Sequence, residues 1–471
     1  MKQKNWFEID SQGLKNLFGR KNKTFILREL VQNAFDENIT ECKIDLKWNK
    51  GIAIISVEDD SPEGFRDLTH AYILFGDTYK RRDAEKRGRF NIGEKLVFCV
   101  SKEAKVETTK GTIIFDKKGR HKKLEKRDKG SKITIKVSMT KYEFNKLIED
   151  VLLYIPPKNI KFMLNKARID RIDKYLTSSF KTILTTEIEK NNVMTRTKRK
   201  TVVDVYKLDR DKHYIYEMGI PITEIDCEYD IDIQQKIPLS LDRETVLPSF
   251  LKDVYAEVLN HMYDKLTEDN AAETWVNIAI SDDRINKDAV ETVLKKRYGE
   301  KIVVGNQFDP NSIDDAISHG FRVVRGGEFG KEIWEKIKRF DLLKSTSDLF
   351  GTNFNNAPII VPNDDMKKVA RLSKKIAKAY FNIDITVNFV KGGRNMVTAQ
   401  YGNRCLTFNI TKLGNGFFSN PLSKNTISLI LHELGHERGN HTESNYHECL
   451  TDMAGWLIIQ AIKEPTFYEV K

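Results

Sequence analysis

A ten-residue stretch near the start of the chain, Arg28–Glu37, carries two helical patterns at once. Apolar side chains recur there at i, i+3, i+4 and i+7, which predicts a helix with one buried side. Three polar side chains, Glu29, Asn33 and Asp36, share the next face of that helix. A Glu in such a row can act as general base toward water, and an Asn can offer its carbonyl oxygen to Mg²⁺. A solvated polar face explains the same row, so the residues that follow must distinguish the two interpretations.

The length and composition limit the classes of protein to consider. At 471 residues the chain is long enough for about three domains, and 40% hydrophobic with 31% charged residues is typical of a soluble globular protein. No apolar run approaches the roughly 20 residues that a membrane helix needs, and the N-terminal segment has no signal-peptide core. The five cysteines are scattered and form no CxxC pair. This argues against disulfides and thiolate zinc sites and favours a reducing cytoplasm.

The chain also has a net charge of +11, with basic runs at Lys80–Arg82, Lys117–Lys129 and Arg196–Lys200. Clustered Lys and Arg attract nucleic-acid phosphates without base-specific contacts. A lysine-rich surface explains the runs equally well. No zinc finger or aromatic–basic stacking motif indicates sequence-specific reading of nucleic acid. Non-specific nucleic-acid binding therefore stays an open alternative.

Glycine-containing segments follow the first helix in order. A β-hairpin predicted over residues 41–58 runs into Asp59, and a tight loop follows to Gly64. Gly88 and Gly93 then bracket a loop that feeds a predicted helix, where backbone N–H groups suit phosphate oxygens. Each segment alone is a weak signal, so their order along the chain carries the argument.

Gly130-Ser131 completes the series, just before a strand predicted over Lys132–Val137. The series resembles the four ATP-binding boxes of the GHKL superfamily, which includes type II topoisomerase ATPase subunits, the ninety-kilodalton heat-shock chaperone, histidine kinases, MutL and MORC proteins. The resemblance covers about residues 20–140 and implies a Bergerat fold, in which a helix layer packs on a mixed sheet. It also implies ATP and Mg²⁺ as cofactors and dimerisation on ATP binding.

The resemblance implies a role for each matching residue. Glu29 activates the attacking water, Asn33 binds Mg²⁺, and Asp59 bonds the adenine amino group. The remaining contacts to the nucleotide are assigned to Asp36, Gly64, Gly88, Gly93, Lys95 and Ser131. Two departures from the family pattern are Ser61 and Asn91, each of which replaces a glycine. Glu29 favours hydrolysis over phosphotransfer.

Residues 141–268 have mixed α/β patterning and are predicted to form a transducer-like middle domain. Within them, Gln234–Glu244 resembles the segment of the heat-shock chaperone branch that presents an arginine to the γ-phosphate, and the matching residue is Arg243. A planar guanidinium can stabilise charge on a transferring phosphoryl group. Gln235 or Lys236 are alternatives, as in the branches where a transducer lysine reaches the nucleotide.

The C-terminal part carries an HExxH motif, residues 432–436, on a helix predicted over Ile427–His436. His432 and His436 lie one turn apart and can hold one Zn²⁺. Glu433 beside them can act as general base on zinc-bound water. Because this motif is rarer by chance than a glycine pair, a zinc site is the favoured interpretation.

A third zinc ligand has to come from further along the chain. The metzincin spacing requires a histidine at Thr442, and His441 is one residue short of it. The following segment resembles the gluzincin arrangement, in which Glu448 ligates zinc and Asp452 bonds a ligating histidine. The strand predicted over Cys405–Thr411 is then the edge strand that holds a peptide.

These segments together predict an α+β multidomain protein. Its parts are a Bergerat-fold ATPase domain (1–140), an α/β transducer-like middle domain (141–268), a small α/β module (269–345) and a zincin-like α+β domain (346–471). The leading interpretation is a cytoplasmic ATPase whose nucleotide cycle controls a zinc metallopeptidase that acts on a protein substrate. The alternatives are an ATP-gated DNA-binding clamp and a chaperone-like remodeller, each with a structural or inactive zinc site.

Overall fold

The chain forms two compact units. The computed structural model describes residues 13, 16, 22–65, 67–240, 245–306, 310–350, 354, 357–393, 396–441 and 443–469. The first unit comprises Met1–Met262 and Glu273–Ala279, and the second comprises Tyr263–Ala272 and Ile280–Lys471. The first unit thus holds the predicted ATPase domain and most of the predicted middle domain. No helix among the described residues is long and apolar enough to cross a membrane.

An eight-stranded mixed sheet forms the N-terminal half of the first unit, in the order β5-β4-β3-β6-β2-β1-β7-β8. Its strands are β1 (Glu41–Asn49), β2 (Ile52–Asp59), β3 (Glu103–Thr108), β4 (Gly111–Asp116), β5 (Gly119–Lys123), β6 (Lys132–Ser138), β7 (Lys161–Leu164) and β8 (Ala167–Ile169). The predicted hairpin is confirmed, because β1 and β2 pair antiparallel and their turn contains Lys50 and Gly51 at positive φ. The central strands bring Asp59 and Ser131 side by side.

Among the described residues from 22 onward, this half contains the helices α1 (Phe25–Phe35), α2 (Gly93–Val100) and α3 (Lys141–Val151). The apolar side of α1 joins the inner strands in one hydrophobic core, as its spacing predicted. Helix α2 begins at Gly93, directly after the glycine-bracketed loop. Helix α3 starts in a capping box between Thr140 and Glu143. The fold therefore directs the polar row of α1 toward the ends of β2 and β6.

A five-stranded sheet in the order β12-β11-β13-β10-β9 forms the rest of the first unit. Its elements are β9 (Leu176–Lys190), β10 (Val193–Tyr206), β11 (His213–Glu217), β12 (Ile220–Ile225), β13 (Asp230–Ile233), α4 (Pro248–Met262) and α5 (Thr274–Ile280). The long β9–β10 hairpin pairs antiparallel over almost its whole length. Arg243, predicted to face the γ-phosphate, lies outside the described residues.

The second unit contains a small α/β part and a C-terminal part. The first has α6 (Lys287–Tyr298), β14 (Ile302–Val304), α7 (Pro310–Ser318), β15 (Arg322–Val324), α8 (Lys331–Phe340) and α9 (Thr346–Phe350), with β14 and β15 parallel. The second has α10 (Asp364–Phe381), β16 (Thr386–Val390), β17 (Ala399–Gly402), β18 (Cys405–Asn409), α11 (Ile410–Leu413), α12 (Lys424–Gly435) and α13 (Ser444–Lys463). Helix α12 carries the HExxH motif, as predicted.

The edge-strand prediction is wrong in one respect. Strand β18, which corresponds to the predicted Cys405–Thr411 strand, lies in the middle of the order β16-β18-β17. The outermost strand is β17, joined to β18 by a tight turn in which Asn403 and Arg404 both have positive φ. This turn folds the preceding segment back beside β18, so β17 takes the edge position that the sequence had assigned to β18.

Candidate functional site

Residues from four separate stretches line one cavity of about 130 Å³ in the first unit. The stretches are the polar face of α1, the end of β2, the loop before α2 and the start of β6. Seven predicted nucleotide-site residues line this cavity: Glu29, Asn33, Asp59, Gly64, Gly88, Gly93 and Ser131. The structure therefore brings together residues about 100 positions apart, which a merely solvated face on α1 would not require.

Glu29 lies at the narrow side of this cavity and is almost completely buried. Its carboxylate accepts a hydrogen bond from the Gln32 amide. The backbone of Gly93 approaches so closely that a Cβ atom there would lie 1.7 Å from Glu29 Oε2. A side chain at this position would displace the Glu29 carboxylate from where it lies. The close approach places Glu29 against the first turn of α2.

Asn33 is oriented by a residue that the sequence analysis missed, Glu94. The Asn33 Nδ2 atom lies 3.3 Å from Glu94 Oε2, so the amide N–H donates and the Asn33 carbonyl oxygen points elsewhere. Lys95 does not line the cavity; its ammonium is buried and bonds Glu94 at 2.9 Å and Asn91 at 2.8 Å. Lys95 was predicted to contact the nucleotide, whereas in this structure its ammonium forms an ion pair with Glu94.

Asp59 lies at the opposite side of the cavity from α2, where β2 ends. Its carboxylate accepts hydrogen bonds from the backbone N–H groups of Ser61 at 3.0 Å and Ser131 at 3.2 Å. Burial raises the pKa of Asp59 to about 6, against the lowering effect of those two bonds, and the nearby Glu37 and Asp60 raise it further. A Cβ atom at Gly130 would lie 1.9 Å from the Asp59 carbonyl oxygen, so the neighbouring strand can approach only with glycine there.

Asp36 shares the face of Glu29 but does not line the cavity. It caps α1, is fully buried, and accepts hydrogen bonds from the backbone N–H groups of Arg87 and Gly88, each at 3.0 Å. The Arg87 guanidinium adds a bond at 2.9 Å. Burial alone would raise the pKa of Asp36, but Lys80 and Arg87 hold it below its usual value. Asp36 therefore anchors the glycine loop instead of facing a nucleotide.

The second sheet also holds this loop. The Arg89 guanidinium forms a bidentate ion pair with Glu217 of β11, at 2.9 and 2.6 Å, and both side chains are buried. Lys236 is also buried and donates to the carbonyl oxygens of Lys80, Asp83 (2.9 Å) and Arg81 (3.4 Å). Burial lowers the pKa of Lys236 to about 8. Lys236 thus contacts the backbone of the loop and does not line the cavity.

A cluster of three histidines forms a second candidate site, in the second unit. His432, His436 and His441 each offer a ring nitrogen within 4.8 Å of the others, and the Nε2 atoms of His432 and His441 are 3.1 Å apart. Tetrahedral Zn–N bonds of about 2.0–2.1 Å separate two ligand nitrogens by about 3.3–3.4 Å. The spacing therefore fits one zinc ion.

The protonation and orientation of these rings also suit a metal. Burial, followed by repulsion from the other histidines, lowers the pKa of His432 to about 3 and that of His441 to about 4. Neutral imidazoles have the lone pairs that a metal requires. Tyr446 Oη lies 2.7 Å from His432 Nδ1, and the Gly439 carbonyl lies 3.1 Å from His436 Nδ1. These contacts orient the rings of His432 and His436 through Nδ1, as outer partners do for metal-binding histidines.

The third member of the cluster is His441, whereas the sequence predicted Glu448 as the third zinc ligand. Helix α13 directs Tyr446, Cys449 and Met453 inward, and Glu448 and Asp452 lie on its exposed face. His441 joins the other two histidines from the segment between α12 and α13, in which Gly439 has a φ of +155°. The signal in the sequence was Gly439, which precedes His441, a histidine one position short of the metzincin spacing.

A cavity of about 240 Å³ adjoins the histidines on the side of strand β17. Glu433, Gln400 and Tyr401 line it together with the three histidines. Asp348 lines it from α9. The edge strand and the predicted general base thus face one space, which a peptide backbone could enter.

Comparisons with known proteins bear on the first site. The family described as "Histidine kinase-, DNA gyrase B-, and HSP90-like ATPase" matches residues 22–151. Among solved structures, the ATPase region of Saccharomyces cerevisiae topoisomerase II matches at 14% sequence identity with a TM-score of 0.34, covering 48% of this chain and 78% of that one. No curated protein matches the chain. The family match does not extend to the histidine cluster.

Proposed function

Because residues 22–151 are a GHKL-type ATPase domain, we propose that the chain binds Mg²⁺-ATP in the cavity of the first unit and hydrolyses it. The observation that carries this proposal is the convergence of Glu29, Asn33 and Asp59 on one cavity beside the Gly88–Gly93 loop. General base, cation ligand and adenine acceptor are three different chemical tasks, and each has a suitable side chain at the cavity wall.

Each residue has a defined task in this reaction. Asp59 accepts a hydrogen bond from the adenine amino group, and the N–H groups at the start of α2 receive phosphate oxygens. Asn33, oriented by Glu94, turns its carbonyl oxygen toward the cation. Glu29 takes a proton from the attacking water. Magnesium, when bound, neutralises charge on the phosphates.

The substitution Glu29→Ala tests the ATPase proposal. We expect turnover to fall by about 10²–10⁴-fold, the usual contribution of a general base, and binding of a fluorescent ATP analogue to persist. Glu149→Ala, at a side chain that is 67% exposed on α3, is the control and should leave both quantities unchanged. Turnover that survives in Glu29→Ala would contradict the proposal.

We further propose that the second unit is a metal-dependent peptidase whose ligands are His432, His436 and His441. Neutral buried imidazoles, their hydrogen-bonded Nδ1 atoms and the adjoining edge strand support it. Zinc, when bound, acidifies a water and polarises a peptide carbonyl. Glu433 would serve as the general base at this centre, and the β17 backbone would align the peptide.

A matched pair of variants tests the ligand set. His441→Ala should lower the zinc content of the purified protein to well below one ion per chain, and peptide cleavage should be lost. Glu448→Ala, at an exposed position of α13, should retain both. Glu433→Gln should retain zinc and lose cleavage. If Glu448→Ala instead loses the metal, the gluzincin arrangement is restored and His441 is not the third ligand.

Non-specific nucleic acid is a second candidate partner, favoured by one face of the β9–β10 hairpin. The strand register places Lys181, Lys198 and Lys200 on the same exposed face. Arg196 lies on that face too, and it is paired with Glu187 at 2.9 Å. A row of lysines on an extended surface suits a phosphate backbone. Under this alternative the protein is an ATP-gated clamp that closes as a homodimer.

A further inference from the structure

A second cavity, of about 490 Å³, adjoins the histidine cluster on the side away from β17. His432, His441 and Tyr446 form one wall, and residues of β14 and α8 form the other. We propose that this cavity receives a bulky apolar side chain of the peptide, next to the bond that is cut, and that the small α/β part of the second unit selects the substrate. This inference rests on the proposed peptidase function.

The walls of the cavity are mostly apolar. Trp334 and Ile337 contribute from α8, Val304 from β14 and Leu450 from α13. The indole N–H of Trp334 donates to the Gly326 carbonyl at 2.9 Å. With its donor already satisfied, the ring offers the cavity apolar contact only, and apolar burial is therefore the main source of affinity there.

The wall is also held in place, which a selective pocket needs. Phe329 packs edge-on against Trp334, with ring centroids 5.0 Å apart. Lys336 on the same helix is buried and forms an ion pair with Asp283 at 2.8 Å. Ile337 is 1% exposed. These contacts fix α8 from three sides, so the indole keeps one position relative to β14.

Two lysines give the cavity a positive rim. Lys331 and Lys338 line it from α8; the Lys331 ammonium lies 3.9 Å from the Glu335 carboxylate, and Lys338 has no ion-pair partner in the part of the chain that the structure describes. An acidic residue beside the bulky one would pair with this rim. The preferred sequence therefore has a large apolar residue followed by an acidic one.

Two adjacent glycines allow a sharp test. Gly326 lines the cavity and Gly327 does not, and a Cβ atom at either position would meet no heavy atom within 4 Å. Neither residue has a positive φ, so both tolerate a side chain. Gly326→Phe should fill the cavity, and Gly327→Phe is the matched control.

The experiment measures binding of three succinyl hydroxamates to the zinc-loaded full chain by calorimetry. The first carries a benzyl group followed by aspartyl amide, the second has hydrogen in place of benzyl, and the third has lysine in place of aspartate. We expect the first to bind at least tenfold more tightly than either of the others. Gly326→Phe should remove the benzyl preference and leave the affinity for the second compound unchanged, and Gly327→Phe should keep the preference.

The outcomes separate this inference from the function on which it rests. If zinc is retained and all three compounds bind equally, the side-chain pocket is overturned and the metal site stands. If the protein holds no zinc and binds none of the compounds, the peptidase proposal fails, and the inference fails with it. A benzyl preference that persists in Gly326→Phe would place the side chain in another cavity and overturn the assignment.

Discussion

Asp59 combines two opposing influences on one carboxyl group. Burial raises its pKa to about 6, and backbone N–H groups from Ser61 and Ser131 favour the ionised form. An adenine amino group is a donor, and the ionised carboxylate is a stronger acceptor for it than the protonated carboxyl group. A carboxyl that titrates near pH 6 therefore makes nucleotide binding dependent on pH close to neutrality.

The affinity for ATP should fall as the pH drops below 6. Asp59 is ionised above its pKa of about 6, and below it each pH unit should weaken binding by up to about tenfold because protonation competes with the adenine. Calorimetry from pH 5 to pH 8 measures this. Asp59→Asn is the control: its binding should be weak throughout and should show only the titration of the phosphates. Parallel pH profiles for the two proteins would contradict the prediction.

Gly93 illustrates how close the packing is around Glu29. A methyl group at this position would meet the Glu29 carboxylate at 1.7 Å, which is far inside van der Waals contact. Gly93→Ala should therefore move the Glu29 carboxylate, which is the end of a flexible side chain, and reduce ATP turnover by less than Glu29→Ala does. Gly416→Ala, where a Cβ meets no atom within 4 Å, should have wild-type turnover. Steady-state ATPase measurements on both variants decide it.

At the scale of elements, the loop between Lys80 and Gly93 is held by helix α1 and by strand β11 of the five-stranded sheet. Asp36 at the end of α1 binds its Arg87 and Gly88 amides, and Glu217 on β11 holds Arg89. Movement of this loop upon nucleotide binding would therefore also displace the residues of the five-stranded sheet that hold it.

Breaking the buried pair between Arg89 and Glu217 should destabilise the loop locally. Glu217→Gln leaves the Arg89 charge uncompensated in a buried site, which costs about 3–5 kcal/mol. Native-state hydrogen exchange at the amides of β11 measures that loss. Glu224→Gln removes an exposed pair with Lys212 and should cost less than about 1 kcal/mol. Equal protection in the two variants would mean that the buried pair does not hold the loop.

The sequence predicted the elements of both sites better than their contacts. Periodicity and glycine spacing identified α1, the loop before α2 and the helix of the HExxH motif, because these signals are local. Asp36 and Lys95 were assigned to the nucleotide because the resemblance to the GHKL boxes covers their positions. Tertiary packing turned Asp36 toward Arg87 and Lys95 toward Glu94, and spacing along the chain does not encode that choice.

The histidine centre shows the same limit. Two ligands at i and i+4 follow from helix geometry alone, whereas the third depends on the path of the segment between α12 and α13 and on which face of α13 is buried. Trp334 lies about 100 residues before the motif and lines the cavity only because the fold places α8 there. No local pattern of residues 269–345 indicated that role.

At the scale of the whole molecule, the net charge of +11 raises the question of whether nucleic acid binds to one face or is attracted by the charge in general. If the face of the β9–β10 hairpin binds DNA, replacing Lys181, Lys198 and Lys200 by Glu should weaken binding and reduce the slope of log K against log salt by about 2–3. Replacing Lys117, Lys118 and Lys122 by Glu changes the net charge equally and is the control. The same reduction in both variants would indicate general electrostatic attraction without a defined face.

Two candidate hydrolytic sites in separate units raise the question of whether one controls the other. The segment Glu273–Ala279 belongs to the first unit, and the residues on both sides of it belong to the second, so the units are joined covalently at more than one point.

If the nucleotide cycle controls the peptidase, cleavage of a fluorogenic peptide should change severalfold when ATP is added to the zinc-loaded protein. Glu29→Ala, which binds ATP without hydrolysing it, should hold the rate at the ATP-bound level. His441→Ala should hydrolyse ATP at the wild-type rate and cleave no peptide. A cleavage rate that is the same with and without ATP in every variant would show that the two sites work independently.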